Sequence, residues 1–275
     1  MKKLLPISII FLLFSCNNDD DSIQKSNTEL PQLIHAKYLL ENNNPSFIDG
    51  LLEFSYDNNL PIEMKGDLFF IFPNDNIHYG FNPNTTRKFT KNNNEILVTQ
   101  TNTGDNHVNS NQTTYRLNDN KLIVSIDFNS QNPNGIKYYT NYYYEKNQLV
   151  KTLRYWKGYN DEWIENSGTE KLYYYNNKGN LDSIVSKTVV INNDLSTQYD
   201  TVQFKYKSIE IFEDYDNSPN PFKQLFLVKE LLKKSLSNNN YRKVIEKGFY
   251  EKKLVQFKQI EFGYLYKNGK VDLTK

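Results

Sequence analysis

The chain has 275 residues, with 33 Lys+Arg against 32 Asp+Glu and a net charge of +1. That balance leaves no basic stripe for a nucleic acid. The mean hydropathy of −0.72 argues against a membrane-spanning barrel, whose strands need an outward apolar band. One cysteine rules out an internal disulfide. The 21 Tyr and 17 Phe favour strands over helices, although the Asn, Lys, Ile, Tyr and Phe excess also fits an AT-rich genome.

Residues 1–15 read as a leader. Lys2 and Lys3 form a basic head, and the apolar run from Leu4 to Phe14 is shorter than the roughly 20 residues a spanning helix requires. Leu13-Phe14-Ser15-Cys16 resembles a lipobox, with Cys16 as the acylated residue. Asn17 to Asp21 resembles the acidic export signal that Bacteroidota place after the lipidated cysteine of surface lipoproteins. This implies Asp19, Asp20 and Asp21 as the export signal, and an outer-membrane protein that is lipid-anchored and exposed at the cell surface. Residues 16–30 are polar and aperiodic, as in a tether. Residues 31–275 are expected to form one β-rich domain.

Within that domain an aromatic strand, a short Asn/Asp/Lys/Gly turn and an aliphatic residue recur. The pattern is seen at Phe54–Leu60, Tyr115–Leu122, Tyr142–Leu149, Tyr173–Leu181, Phe249–Leu254 and Tyr264–Val271. Such turns supply the positive φ values that tight hairpins need. Strands alternate with period two, as in Leu122, Val124, Ile126 and Phe128, and in Ile260, Phe262, Tyr264 and Tyr266, which marks half-exposed antiparallel strands. Residues 221–236 break the pattern. Asn220 can cap, Pro221 suits the first helical position, and Leu225, Val228, Leu232 and Leu236 form a stripe, so a helix is expected here, covering a sheet face or plugging an open barrel end. The fold class is therefore mainly β: an antiparallel meander curling toward an open barrel, with one helix.

The Tyr-x-Tyr-(Asn/Asp)-x-x-Gly-x-Leu hairpins, clearest at Tyr173–Leu181, are similar to degenerate YD/RHS-like repeats. Asp214–Phe222 resembles a segment of Bacteroidota lipoproteins of unknown function, one family of which is described as porin-like in fold. The resemblance would cover residues 50–275, with 61–113 departing from it, and it implies no activity, catalytic residue or cofactor.

Chemistry is sparse. His35, His78 and His107 share no metal-ligand spacing. Asp214, Asp216 and Ser218 mimic the start of a calcium loop, but Pro219 and Leu225 stand where Gly and Glu are required. No catalytic residue, metal site or cofactor is assigned. Asp21-Ser22, Asp182-Ser183 and Asp200-Thr201, each followed by an aliphatic residue, resemble Bacteroidota O-glycosylation acceptors. The binding signal is the aromatic window 138–175, with Trp156, Tyr159 and Trp163 beside Gly158, Asn160 and Asp161 in an expected loop. Consecutive tyrosines place rings on both faces of a strand. One face can enter the core while the other is covered or exposed. Exposed rings can stack on a glycan or anchor a protein partner, whereas the commoner use of such rings is cross-strand ladders that stabilise the sheet. The expectation is a non-enzymatic binding lipoprotein. The alternative is a secreted glycan hydrolase using a carboxylate pair from Asp161, Glu162 and Glu165.

Overall fold

The computed structural model describes residues 30–40, 49–71, 78–103, 109–129, 137–157, 163–192, 194–198 and 205–275. Cys16, Asp19, Asp20, Asp21, Tyr159, Asp161, Glu162 and His107 lie outside them. The strands run in chain order. The first seven are β1 (Leu33–His35), β2 (Leu51–Asp57), β3 (Leu60–Ile71), β4 (His78–Asn92), β5 (Glu95–Asn102), β6 (Asn109–Leu117) and β7 (Ile123–Asn129). Next come β8 (Lys137–Glu145), β9 (Gln148–Lys157), β10 (Trp163–Tyr175), β11 (Leu181–Ile191), the two-residue β12 (Thr197–Gln198), β13 (Tyr206–Tyr215), β14 (Tyr241–Tyr250) and β15 (Lys253–Glu261). All join one 15-stranded sheet in sequence order, with β12 set aside against β11, and every pairing is antiparallel. A small hairpin, β16 (Tyr266–Lys267) and β17 (Lys270–Val271), follows.

The meander follows from its turns. Asn58-Asn59, Lys146-Asn147, Glu251-Lys252 and Asn268-Gly269 all hold positive φ at both central residues, the geometry whose twist matches that of the flanking strands. Three longer loops repeat one design. In 118–122, 176–180 and 192–196 the first residue's N–H donates to the carbonyl of the fifth, and the fourth takes positive φ. Asn118 and Asn176 also accept backbone N–H groups through their side chains, the local mimicry for which Asn is favoured in turns.

The sheet does not close on itself, because β1 pairs with β2 alone and β15 with β14 alone. The C-terminal tail returns to the first edge instead. His35 N donates to Leu273 O at 2.6 Å, and the Tyr38 and Tyr264 rings stack with centroids 6.0 Å apart. At the other edge, β15 exposes Leu254, Val255 and Phe257. Lys253, Lys258 and a bulge opposite Gly248/Phe249 break up that edge, which discourages strand addition.

The helical segment at 221–236 is present in pieces: a 3-10 turn at Lys223–Leu225 and a short helix, α1 (Leu232–Ser235). Leu225, Val228 and Leu231 each donate a backbone N–H to the residue three before, starting from Phe222. A period of three aligns side chains i and i+3, so Phe222, Leu225, Val228 and Leu231 are all essentially fully buried. Of the expected α-helical stripe, Leu232 and Leu236 are only half-buried. Each fully buried member contributes about 1.5–3 kcal/mol. Asn220 clasps the segment. Its Oδ1 accepts from Phe222 N at 2.8 Å, and its Nδ2 donates to Lys234 O at 2.6 Å and Ser237 O at 2.8 Å. This segment fills the inner face of the sheet, packing with Ile34, Leu52, Met64, Phe89, Ile96 and Tyr115. A second cluster unites Leu181, Ile184, Phe212, Tyr241, Val244 and Ile260.

Bulges decide several faces. In β7 it is Ile123, rather than Leu122 or Val124, that is fully buried. An extra residue between the pairs Arg116↔Ser125 and Leu117↔Ile123 reverses the alternation there. Asp216 pins a turn: its carboxylate accepts from Ser218 N, Asn240 and the Tyr266 hydroxyl. Among the described residues no His/Cys/Asp/Glu group could hold a metal ion, and no helix is long and apolar enough to cross a membrane.

Candidate functional site

The aromatic window divides between the two faces, as consecutive tyrosines require. Tyr139 and Tyr155 stack on the outer face with centroids 5.3 Å apart. They pack around Leu153, Val189 and Ile191, with Leu195 from the 192–196 loop laid over them. Glu170 is buried beside this cluster, paired with Lys187 at 3.0 Å and accepting from the Thr197 hydroxyl. These outer rings form a cross-strand ladder that contributes to sheet stability.

The inner face differs. Phe128 of β7 stands opposite Tyr138 of β8, and Tyr138 opposite Trp156 of β9. Three aromatic residues from adjacent strands thus form one row. At about 4.8 Å per strand the row spans roughly 10 Å. The next rung on this face is Ile126, Thr140, Arg154 and Thr169. Phe128 and Tyr138 remain 38% and 37% exposed, and Trp156 is half-buried. The Arg154 guanidinium lies 5.3 Å from the Tyr138 ring centroid, a cation–π contact.

Phe128, Tyr138, Ile126, Thr140 and Arg154 of these rungs line a cavity of about 450 Å³, whose lining also takes in Gln100, Asn111, Thr113 and Tyr142, while Trp156 continues the row beyond it. The opposite wall is the inserted segment, through Lys229 and Glu230. Burial pushes the Tyr142 hydroxyl well above its ordinary range, so it remains a donor. A neighbouring cavity of about 290 Å³ shares Lys229 and Glu230 and adds Lys171 and Tyr173. A larger hollow of about 690 Å³ lies where Leu30–Leu33 meets the C-terminal tail, but no aromatic residue lines it.

One cluster ties the inserted segment to the sheet at this cavity. Arg87 of β4 holds Glu230 in a two-bond fork at 2.8 and 3.0 Å, and reaches Asp67 of β3 through Nε at 3.1 Å and Nη2 at 2.6 Å. Gln100 and the Leu68 N–H complete the shell of Asp67. Burial alone would raise the Glu230 carboxyl, but the charge and hydrogen bonds of Arg87 outweigh it and hold the group below its ordinary range. At Asp67, whose side chain is only 6% exposed, burial wins over Arg87 and the carboxyl is raised. The two carboxylates saturate Arg87. Arg154 and Lys229 have no ion pair among the described residues.

The expected site residues are therefore only partly assembled. Trp156 joins the inner aromatic row. It lies inside β9 and not at a loop tip, because the strand runs on to Lys157. Trp163 likewise opens β10, opposite Lys157, and Tyr159 falls outside the described residues. Of the alternative carboxylates, Asp161 and Glu162 also fall outside them, and Glu165 belongs to β10. Sequence reasoning missed Phe128 and Arg154, since only the register brings them beside Tyr138 and Trp156.

No family model matches the chain, so the resemblance to YD/RHS-like repeats finds no counterpart there, and no curated protein matches it. Two solved structures are similar in outline. One is a porin-like protein from Bacteroides uniformis, 12% identical, with a TM-score of 0.46 over 80% of each chain. The other is a porin-like protein from Bacteroides vulgatus, 9% identical, with a TM-score of 0.41 over 81% of this chain and 84% of that one.

Proposed function

We propose that the protein is a lipid-anchored lipoprotein of the outer membrane, facing the cell exterior, that binds a glycan or protein partner without acting on it chemically. The observation that carries the binding reading is the Phe128–Tyr138–Trp156 row beside the 450 Å³ cavity. A half-exposed row of rings on an otherwise filled face leaves apolar surface that a ligand can cover. The polar groups around it offer the few directed hydrogen bonds that orient a ligand.

Trp156→Ala tests the site. Its ring is half-buried, so the fold should survive with a modest fall in thermal midpoint, while binding to a glycan array or to a captured surface protein should fall about tenfold or more. Unfolding, by the roughly 3–5 kcal/mol of a truncated core Trp, would make the residue structural, and unaltered binding would move the site elsewhere.

The anchor is tested separately. Wild type should incorporate a fatty-acid analogue and Cys16→Ala should not. The variant should leave the membrane fraction, because a lone Cys16 after the apolar run is the acylation point in this reading. Equal labelling of both would remove the anchor.

A further inference from the structure

We infer that the ligand of the inner face is an acidic carbohydrate, a pyranose bearing a carboxylate of the uronic-acid type. This rests on the reading that the face binds a ligand, and adds its chemical class. Three observations converge on it.

The first is shape. The Phe128–Tyr138–Trp156 row is a strip of rings on adjacent strands, roughly 10 Å long. It is suited to the flat C–H faces of two consecutive sugar rings. The second is polarity. The rung beside the strip holds Thr140, Arg154 and Thr169, and the cavity adds Gln100, Asn111 and the Tyr142 hydroxyl. Side chains that both donate and accept suit a ligand rich in hydroxyl groups; a purely aromatic acid would leave most of them unmatched. The third is charge. Arg87 is consumed by Glu230 and Asp67, which leaves Arg154 on the sheet side and Lys229 on the segment side as the cations facing the cavity. Arg154 lies against Tyr138. A contact with a ring uses none of the guanidinium's N–H groups in an ion pair, so Arg154 can receive a planar carboxylate in a two-bond fork. The strip and Arg154 are on neighbouring rungs, so one sugar can stack on the rings and present its carboxylate to the guanidinium.

The test uses the full-length protein in detergent, titrated calorimetrically with a hexuronic-acid oligosaccharide and with the neutral hexose oligosaccharide of the same linkage and length. The acidic ligand should bind about tenfold tighter at low salt, the scale of one charge-assisted interaction, and the advantage should shrink as salt rises. Arg154→Gln should remove the advantage, weakening the acidic ligand about tenfold more than the neutral one, Lys229→Gln should reduce it, and Trp156→Ala should weaken both ligands. Equal or weaker binding of the acidic ligand, with both ligands still sensitive to Trp156→Ala, would overturn the acidic class and leave the ligand site standing. Binding of neither ligand, or binding indifferent to Trp156→Ala, would overturn the site as well. An Arg154→Gln variant that is folded by circular dichroism yet keeps the full acidic advantage would also overturn the assignment.

Discussion

Arg87→Ala is expected to destabilise the fold by about 3–5 kcal/mol at neutral pH, the range for removing one partner of a buried ion pair. Arg87 is almost wholly enclosed and serves two carboxylates from different parts of the chain. Its loss strands Asp67 and unties Glu230, and with it the inserted segment, from the sheet. The pH dependence carries a sign. In wild type the lowered Glu230 carboxyl contributes stability that is present above its unfolded value and lost as pH falls through its folded one. The raised Asp67 acts oppositely: its contribution is full below its unfolded value and is lost as pH rises through its folded one. The two partly cancel across the acid range. Without Arg87 burial raises both groups, so the penalty should be largest near pH 7 and shrink toward about pH 4, where carboxyls take up protons. Urea midpoints at the two pH values measure this. A penalty independent of pH would mean that the loss is one of packing. The triple change Arg87→Met, Asp67→Asn, Glu230→Gln should recover most of the stability, because neutral groups of similar size need no counter-charge.

Phe222→Ala should cost about 3–5 kcal/mol, lowering the thermal midpoint by roughly 6–20 °C. Phe222 is 1% exposed, packs against the Tyr38 ring at 5.7 Å, and starts the ladder Phe222, Leu225, Val228, Leu231. A cavity at its first member removes the contact between the segment and the N-terminal end of the sheet. Phe222→Leu should recover more than half of the loss by refilling the volume. A midpoint shift below about 2 °C for the alanine variant would mean that the segment is an accessory to the sheet and no part of its core.

The sequence by itself determined what depends on neighbouring residues. Asn58-Asn59, Asn147 and Asn268-Gly269 are the residue types that accept positive φ most readily, and two positive-φ residues between alternating runs make a hairpin. A succession of such hairpins makes an antiparallel meander, so the fold class was legible. So was the helical character of 221–236, from Asn220 as cap and the spaced leucines. The period of three was not, because for Phe222, Leu225, Val228 and Leu231 it shows only when all four are buried at once against the sheet. The abundance of Asn, read partly as base composition, turns out to have structural work in places. Asn220 clasps the inserted segment, and Asn180 and Asn239 bond each other reciprocally across 59 residues of chain.

Only the tertiary structure decided the candidate site. Between the turn Lys146-Asn147 and Trp156 lies one bulge, at Val150, where the pairs Tyr144↔Leu149 and Tyr143↔Lys151 differ by one residue. Without it Tyr138 would face Tyr155, and Trp156 and Arg154 would leave the inner face, because a slip of one residue exchanges the faces of a strand. Nothing local announces that bulge. The Arg87 cluster is equally invisible, joining positions 20 and 143 residues apart in the chain. Turn chemistry and alternation act over a few residues and can be read there, whereas a site is made of side chains that meet only once register and the docking of the inserted segment have set which face each one occupies.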